Sequence, residues 1–244
     1  MKGMENKMNE VEKYAVQWNI SAQYFYEQGY YSWMSENLNG CKSVLEIGCG
    51  TGYSTLALAE KGFKVLAIDK NSNCIAKAKE LLSSKGFQDD QVIFIEGDVA
   101  EDSFRKRLIE NYSFEIVVCW NVGTYWGKEM FQYYLPHMLE YGLDVGQIKA
   151  NPESSYSELI IWEACRIAKA KNTPIHIVDR GGEIINEQTD PYYSMLKNEF
   201  GYSEILYDNL QAESISGGGR VLTTNGTVNM DNKIDIVFVS IFMC

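Results

Sequence analysis

Apolar and polar positions along this chain fall into two alternating periods. Residues 10–39 carry a helical stripe, with Val11, Tyr14, Ala15 and Trp18 on one face, and Gly29 divides the region into two pieces. Short apolar runs then take turns with helical patterns. The runs at 42–47, 64–69, 91–96, 114–120 and 174–179 read as strands; 53–62, 71–86, 101–111 and 155–171 read as helices. Asn71 or Ser72 starts the second of these helices and Gly86 stops it. Between residue 121 and the helix near Ser155 the pattern is long and irregular. Strands that are apolar on both faces must be covered on both faces, which predicts a doubly wound, mostly parallel α/β sheet. The runs at 202–210 and 233–242 are joined too tightly for a crossover helix and should pair antiparallel. Asn225-Gly226 marks a hairpin between them, approached through the glycines 217–219.

Composition narrows the partners. A net charge of −11 repels polyphosphate, and the one basic cluster, Arg105, Lys106 and Arg107, reads as a solvated helix face, so no nucleic-acid partner is expected. The first ten residues are polar, with no apolar stretch of signal or anchor type, and the expectation is a cytoplasmic protein with no membrane partner. Six cysteines lack the paired spacing of a zinc or redox site, so no metal is predicted, and Cys119 and Cys165 read as core packing.

The candidate chemistry centres on VLEIGCGTG, residues 44–52, where a strand runs into alternating glycines and then a helix. Glycine lets the backbone turn sharply and approach a ligand, and Asp69, at the tip of the next strand, sits where a ribose diol is gripped in such folds. A dinucleotide fingerprint needs its third glycine at position 53, which is Tyr53, so an NAD-dependent oxidoreductase is disfavoured. Gly48, Gly50 and Gly52, preceded by Glu46, instead make the sequence resemble class I S-adenosylmethionine-dependent methyltransferases, well over residues 43–120 and more loosely beyond.

That resemblance implies a seven-stranded sheet in the order 3-2-1-4-5-7-6, the last strand antiparallel, and the cofactor S-adenosylmethionine with product S-adenosylhomocysteine. The loop Gly48–Cys49–Gly50–Gly52 would bear on the methionine moiety and ribose, with Glu46 near the cofactor amino group. Asp69, followed by Lys70, would hold the ribose hydroxyls. Asp98 would take the adenine amino group with Val99 beside the ring, and Cys119 and Trp120 would line the methionine end. Read without the resemblance, Glu46 is a helix-dipole or surface partner and Asp98 an N-cap.

Methyl transfer from a sulfonium needs a held nucleophile and a cover that excludes water. The aromatic segment 1–40 is read as a helical lid, with Tyr14, Tyr24 and Tyr31 as lid residues. Residues 41–244 form the methyltransferase domain, with a cap insertion at about 121–153 in which Asn121, Tyr125 and Trp126 face substrate. Trp120-Asn121-Val122-Gly123 stands where that family's base- and amide-methylating members carry Asn/Asp-Pro-Pro-Tyr, which counts against those acceptors. His137 and Tyr125 are the candidate catalytic groups, His176 reads as a core histidine, and Asp179 and Arg180 either reach the pocket or cap a loop. The expected function is methyl transfer to oxygen or nitrogen of a small molecule; a non-catalytic adenosylmethionine sensor and a protein methyltransferase are the alternatives.

Overall fold

The apolar runs become seven strands: β1 (Ser43–Ile47), β2 (Lys64–Asp69), β3 (Val92–Glu96), β4 (Ile116–Trp120), β5 (Ile175–Gly181), β6 (Ile205–Ser214) and β7 (Ile234–Met243). They form one sheet in the order β3-β2-β1-β4-β5-β7-β6. The first five are parallel, while β7 runs antiparallel to both β5 and β6. This computed structural model describes residues 9–38, 40–124, 127–190, 192–215 and 233–244; the Asn225-Gly226 hairpin, the glycines 217–219, Tyr125 and Trp126 lie outside the described residues.

Alternation along each strand sends neighbouring side chains to opposite faces; both faces are buried along the central strands, while the outer β3 and β6 leave Ile93 and Leu206 exposed. Leu45, Ile47, Leu66, Ile68, Val117 and Cys119 face one core. Three helices of this layer bury Phe104 and Leu108 from α5 (Asp102–Asn111), Met130 and Met138 from α6 (Lys128–Tyr141), and Leu159 and Cys165 from α8 (Pro152–Lys171). On the other face Val44, Val65, Ala67, Ile116, Val118 and Trp120 meet α3 (Tyr53–Glu60) and α4 (Ser72–Ser84). The N-terminal helices α1 (Glu10–Glu27) and α2 (Tyr30–Glu36) complete this second layer, where Phe25 packs edge-on against Phe238 at 5.2 Å. Gly29 separates them at φ +77, as its position in the sequence predicts.

Three features differ from the sequence reading. The section after β4 is helical, carrying α6 and the short α7 (Val145–Ala150). Pro136 obscures α6, yet it and Gln132, whose carbonyl it leaves unbonded, both lie on the exposed side where solvent can take that carbonyl. A further helix, α9 (Tyr193–Phe200), follows β5; it is eight residues long and too short for a clear periodic signal. Arg105 is not on a solvated face: it is 8% exposed, pairs with buried Glu163 at 2.9 Å and donates to the Val99 carbonyl. Lys106 is exposed and pairs with Asp102.

Candidate functional site

Three tips at the carboxyl end of the sheet converge on one crevice. After β1 the backbone takes positive φ at Gly48, Gly50 and Gly52. At Gly52 a Cβ would lie 2.8 Å from Ala78 of α4, and at Gly50 it would lie 2.3 Å from the Trp18 indole nitrogen, so only glycine fits. The turn is stitched to β2: the Gly48 and Cys49 amides both donate to the Ile68 carbonyl, at 2.8 and 2.9 Å. The Gly50 amide donates to Asp69 Oδ2 at 2.9 Å, and the Asn71 amide to Oδ1 at 2.8 Å. Burial raises the Asp69 pKa, against the pull of these two hydrogen bonds. An ionised carboxylate has about four lone-pair sites, so two N–H donors leave room for a ligand diol.

Beneath the turn, buried Glu46 accepts the hydroxyls of Ser54 and Thr55, the latter at 2.6 Å, which fixes the first turn of α3. Burial pushes its carboxyl up to about 7. At the β3 tip Asp98 accepts the Ala100 amide at 2.9 Å and the Tyr134 hydroxyl from α6. The N-cap of α5 is Glu101, so Asp98 does not serve as that cap. Lys70 donates to the Tyr134 hydroxyl at 3.1 Å and lies 4.0 Å over the Tyr156 ring; burial pushes its ammonium down to about 8.

The third tip follows β4. Asn121 holds φ +50 with its N–H on the Val178 carbonyl at 2.7 Å. Its side-chain amide and the Thr124 hydroxyl are buried with no hydrogen-bond partner among the described residues. Leaving such groups unpaired costs about 1–3 kcal/mol each. Helix α1 brings Tyr14 and Trp18 into the crevice lining, with Arg180 of β5 5.8 Å over the Trp18 ring. The enclosed space is about 40 Å³, whereas pockets for drug-sized ligands run to roughly 300–1,000 Å³. The glycine cradle and the two carboxylates suit a nucleoside, and the α1 side chains narrow the space above them.

Of the residues singled out in the sequence, Gly48, Gly50, Asp69, Lys70, Asp98, Val99, Asn121 and Tyr14 all line this crevice. Glu46, Cys49 and Gly52 support the turn from behind rather than lining it. Other candidates lie elsewhere. Cys119 faces the α8 core, and Trp120 turns to the opposite face, where its indole N–H donates to His176 Nδ1 at 3.0 Å. Tyr24 bonds Glu213 and Tyr31 packs on Phe25, both in the α1–α2 core. His137 sits on α6 beside Tyr133, outside the crevice. His176 is the buried core histidine expected, pushed down to about 3 by burial. Asp179 accepts the Tyr193 hydroxyl at 2.8 Å. Trp18, Asn71, Thr124 and Tyr156 are lining residues the sequence reading did not single out as sites, and Tyr134 is bonded to two of the lining side chains. Trp18, in the aromatic segment, and Thr124, at the start of the insertion after β4, carried signals that could have found them. Among the described residues no cluster could hold a metal ion, and no helix is long and apolar enough to cross a membrane.

Residues 44–140 match a family model described as a methyltransferase domain. The chain is 37% identical over 78 residues to the cypemycin N-terminal methyltransferase of a Streptomyces species, covering 31% of this chain and 29% of that one. It is 37% identical over 54 residues to protein-L-isoaspartate O-methyltransferase 1 of Syntrophobacter fumaroxidans, covering 22% and 25%. These matches thus span between a quarter and a third of each relative's length. Among solved structures, a SAM-dependent methyltransferase from Agrobacterium tumefaciens superposes with a TM-score of 0.50 at 15% identity, over 89% of this chain and 62% of that one, a likeness of fold.

Proposed function

We propose that the chain uses S-adenosylmethionine, bound on the methyltransferase-like segment 44–140, to methylate a nitrogen or oxygen of a small-molecule acceptor. The observation that carries this reading is the glycine turn tied to Asp69, with Asp98 one strand further out, opposite a buried polar wall after β4. In this reading Asp69 grips the ribose hydroxyls, Asp98 and Val99 take the adenine, and Lys70 with Tyr134 fixes the Asp98 carboxylate. The cofactor, when bound, supplies a methyl group made electrophilic by positive sulfur.

The chain's own part is to orient and to exclude water. Residues 1–40 act as the cover: α1 holds Tyr14 and Trp18 over the turn, and it must yield for the cofactor to enter a space of about 40 Å³. On the other side residues 121–124, at the start of the cap of about 121–153, line the crevice, and Tyr134 of α6 braces Lys70 and Asp98. All six cysteines are free, which suits a reducing compartment such as the cytoplasm. A peptide or protein acceptor is the second reading, favoured by the two curated relatives, which are named for an N-terminal and an isoaspartate methylation.

Incubating the protein with methyl-labelled S-adenosylmethionine, a metabolite extract and a protein extract separates these. Label on a low-molecular-weight product is the expected result. Label confined to macromolecules supports the second reading, and cofactor binding with no labelled product sinks both in favour of a sensor.

A further inference from the structure

Lys70 follows Asp69 at the tip of β2 and lines the crevice, with its ammonium 4.4 Å from the centre of the Tyr134 ring and 4.0 Å from that of Tyr156. It donates to the Tyr134 hydroxyl at 3.1 Å, and that hydroxyl donates to Asp98 Oδ2. The other carboxylate oxygen, Oδ1, accepts the Ala100 amide at 2.9 Å. The direction of this relay follows from donor chemistry. An ammonium has N–H donors and no acceptor, so the Tyr134 oxygen accepts from Lys70 and its single proton points at Asp98. Each Asp98 oxygen then has one fixed donor, and the lone pairs that remain can only accept. A neutral amine at Lys70 would offer a lone pair of its own. The Tyr134 proton could turn to it, and Asp98 would then face an oxygen in place of a donor.

We infer that Lys70 and Tyr134 are positioning residues through which the crevice selects a nucleoside bearing an exocyclic amino group, the Lys70 ammonium setting the direction of the Tyr134 proton. This rests on the crevice being the cofactor site proposed above. Tyr134 comes from α6 and does not line the crevice, so it acts on a bound base only through Asp98. An amino N–H fills an Asp98 lone pair, whereas a base without that group leaves the desolvated carboxylate short of a donor. The relay also ties the selection to pH. Burial pushes Lys70 down to about 8, against the pull of Asp98 and Asp69. The phenols around it, Tyr134 of α6, Tyr156 of α8 and Tyr14 of α1 in the same lining, are pushed above that range by burial, as is Tyr133 beside Tyr134. Glu46, behind the glycine turn, is pushed up by burial to about 7. Below about 8 Lys70 keeps the proton that orients the relay; as pH rises through that value the orientation, and the selection with it, is lost.

The test measures, by isothermal titration on the full chain, the Kd for S-adenosylhomocysteine and for its analogue lacking the 6-amino group. The homocysteine part is common to both, so its own titration cancels in the ratio. At about pH 7 the wild-type protein should prefer the amino compound at least about tenfold. Tyr134→Phe keeps the ring against Tyr133 and Tyr156; it should cut the preference to about threefold or less and leave the Kd for the analogue within about twofold. Lys70→Met should cut the preference equally. At about pH 9 the wild-type ratio should fall toward that of Lys70→Met, whose own ratio is the same at both pH values. Full preference in both variants overturns the inference, as does a wild-type ratio that ignores pH. An equal loss for both ligands in Tyr134→Phe also overturns it, making the hydroxyl a structural brace. Wild-type protein that binds both ligands equally keeps the cofactor site and removes the selection, whereas wild-type protein that binds neither removes the cofactor site itself.

Discussion

Trp18→Ala should tighten cofactor binding. The indole lies against Gly50, where a Cβ would come within 2.3 Å of its nitrogen, and is held edge-on to Phe25 at 6.3 Å and under the Arg180 guanidinium at 5.8 Å. An aromatic pair contributes about 0.5–1.5 kcal/mol and an exposed cation–π contact about 0.5–1 kcal/mol, so roughly 1–2.5 kcal/mol holds this side chain over the turn. If the cover must yield before the cofactor enters, that energy is subtracted from the observed affinity, because apparent Kd scales inversely with the open fraction. Removing the indole then lowers the Kd for S-adenosylhomocysteine by about 5- to 70-fold, chiefly through a faster association rate. Isothermal titration gives the first quantity and stopped-flow mixing the second, with Trp18→Phe expected between wild type and alanine. Binding that is unchanged or weaker in Trp18→Ala, with the Tm showing an intact fold, would refute the idea that this side chain obstructs entry.

Asp69→Ala should raise the same Kd by roughly 10- to 150-fold, or about 1.5–3 kcal/mol, and lower the Tm because the Gly50 and Asn71 amides lose their acceptor. Equal affinity in the variant would remove Asp69 from the site. Glu46 in the folded protein titrates near 7 against a reference of 4.5, so between those values the folded state keeps a proton that the unfolded state has lost. Stability from this group therefore falls as pH rises through that window, by about 3 kcal/mol in all, and Glu46→Gln should abolish this part of the slope. Urea denaturation of both proteins at pH 5 and pH 8 reads the difference, and parallel changes would contradict it. Arg105→Ala strands the buried Glu163 carboxylate and should cost about 3 kcal/mol, with Arg166 at 3.2 Å limiting the loss and Glu163→Gln recovering part of it. A cost below about 0.5 kcal/mol would show the pair to be solvent-screened.

The sheet was legible because its central strands are buried on both faces and read as unbroken apolar runs, and because capping residues such as Asn71 bound the helices between them. The helices after β4 were hidden by Pro136, Gly142 and Gly146, which in sequence signal breaks; in the structure they are a tolerated surface proline, a C-cap and part of the turn that starts α7. The glycine turn and Asp69 could be placed together at one crevice because glycine spacing and the acidic tip of the next strand are local in sequence. Trp18, Thr124, Tyr134 and Tyr156 come from four separate elements and meet only through the fold. Trp120 shows the limit of strand logic: alternation places it opposite Cys119, and its indole N–H, needing a partner once buried, finds His176 on β5. Arg105 fails for the same reason, as its buried partner Glu163 lies on another helix.

Equilibrium dialysis of the protein against labelled S-adenosylmethionine tests the cofactor site most directly. The glycine turn with Asp69 and Asp98 predicts one bound molecule per chain, displaced by S-adenosylhomocysteine and not by NAD. No retained label, or displacement by NAD in place of S-adenosylhomocysteine, would contradict it.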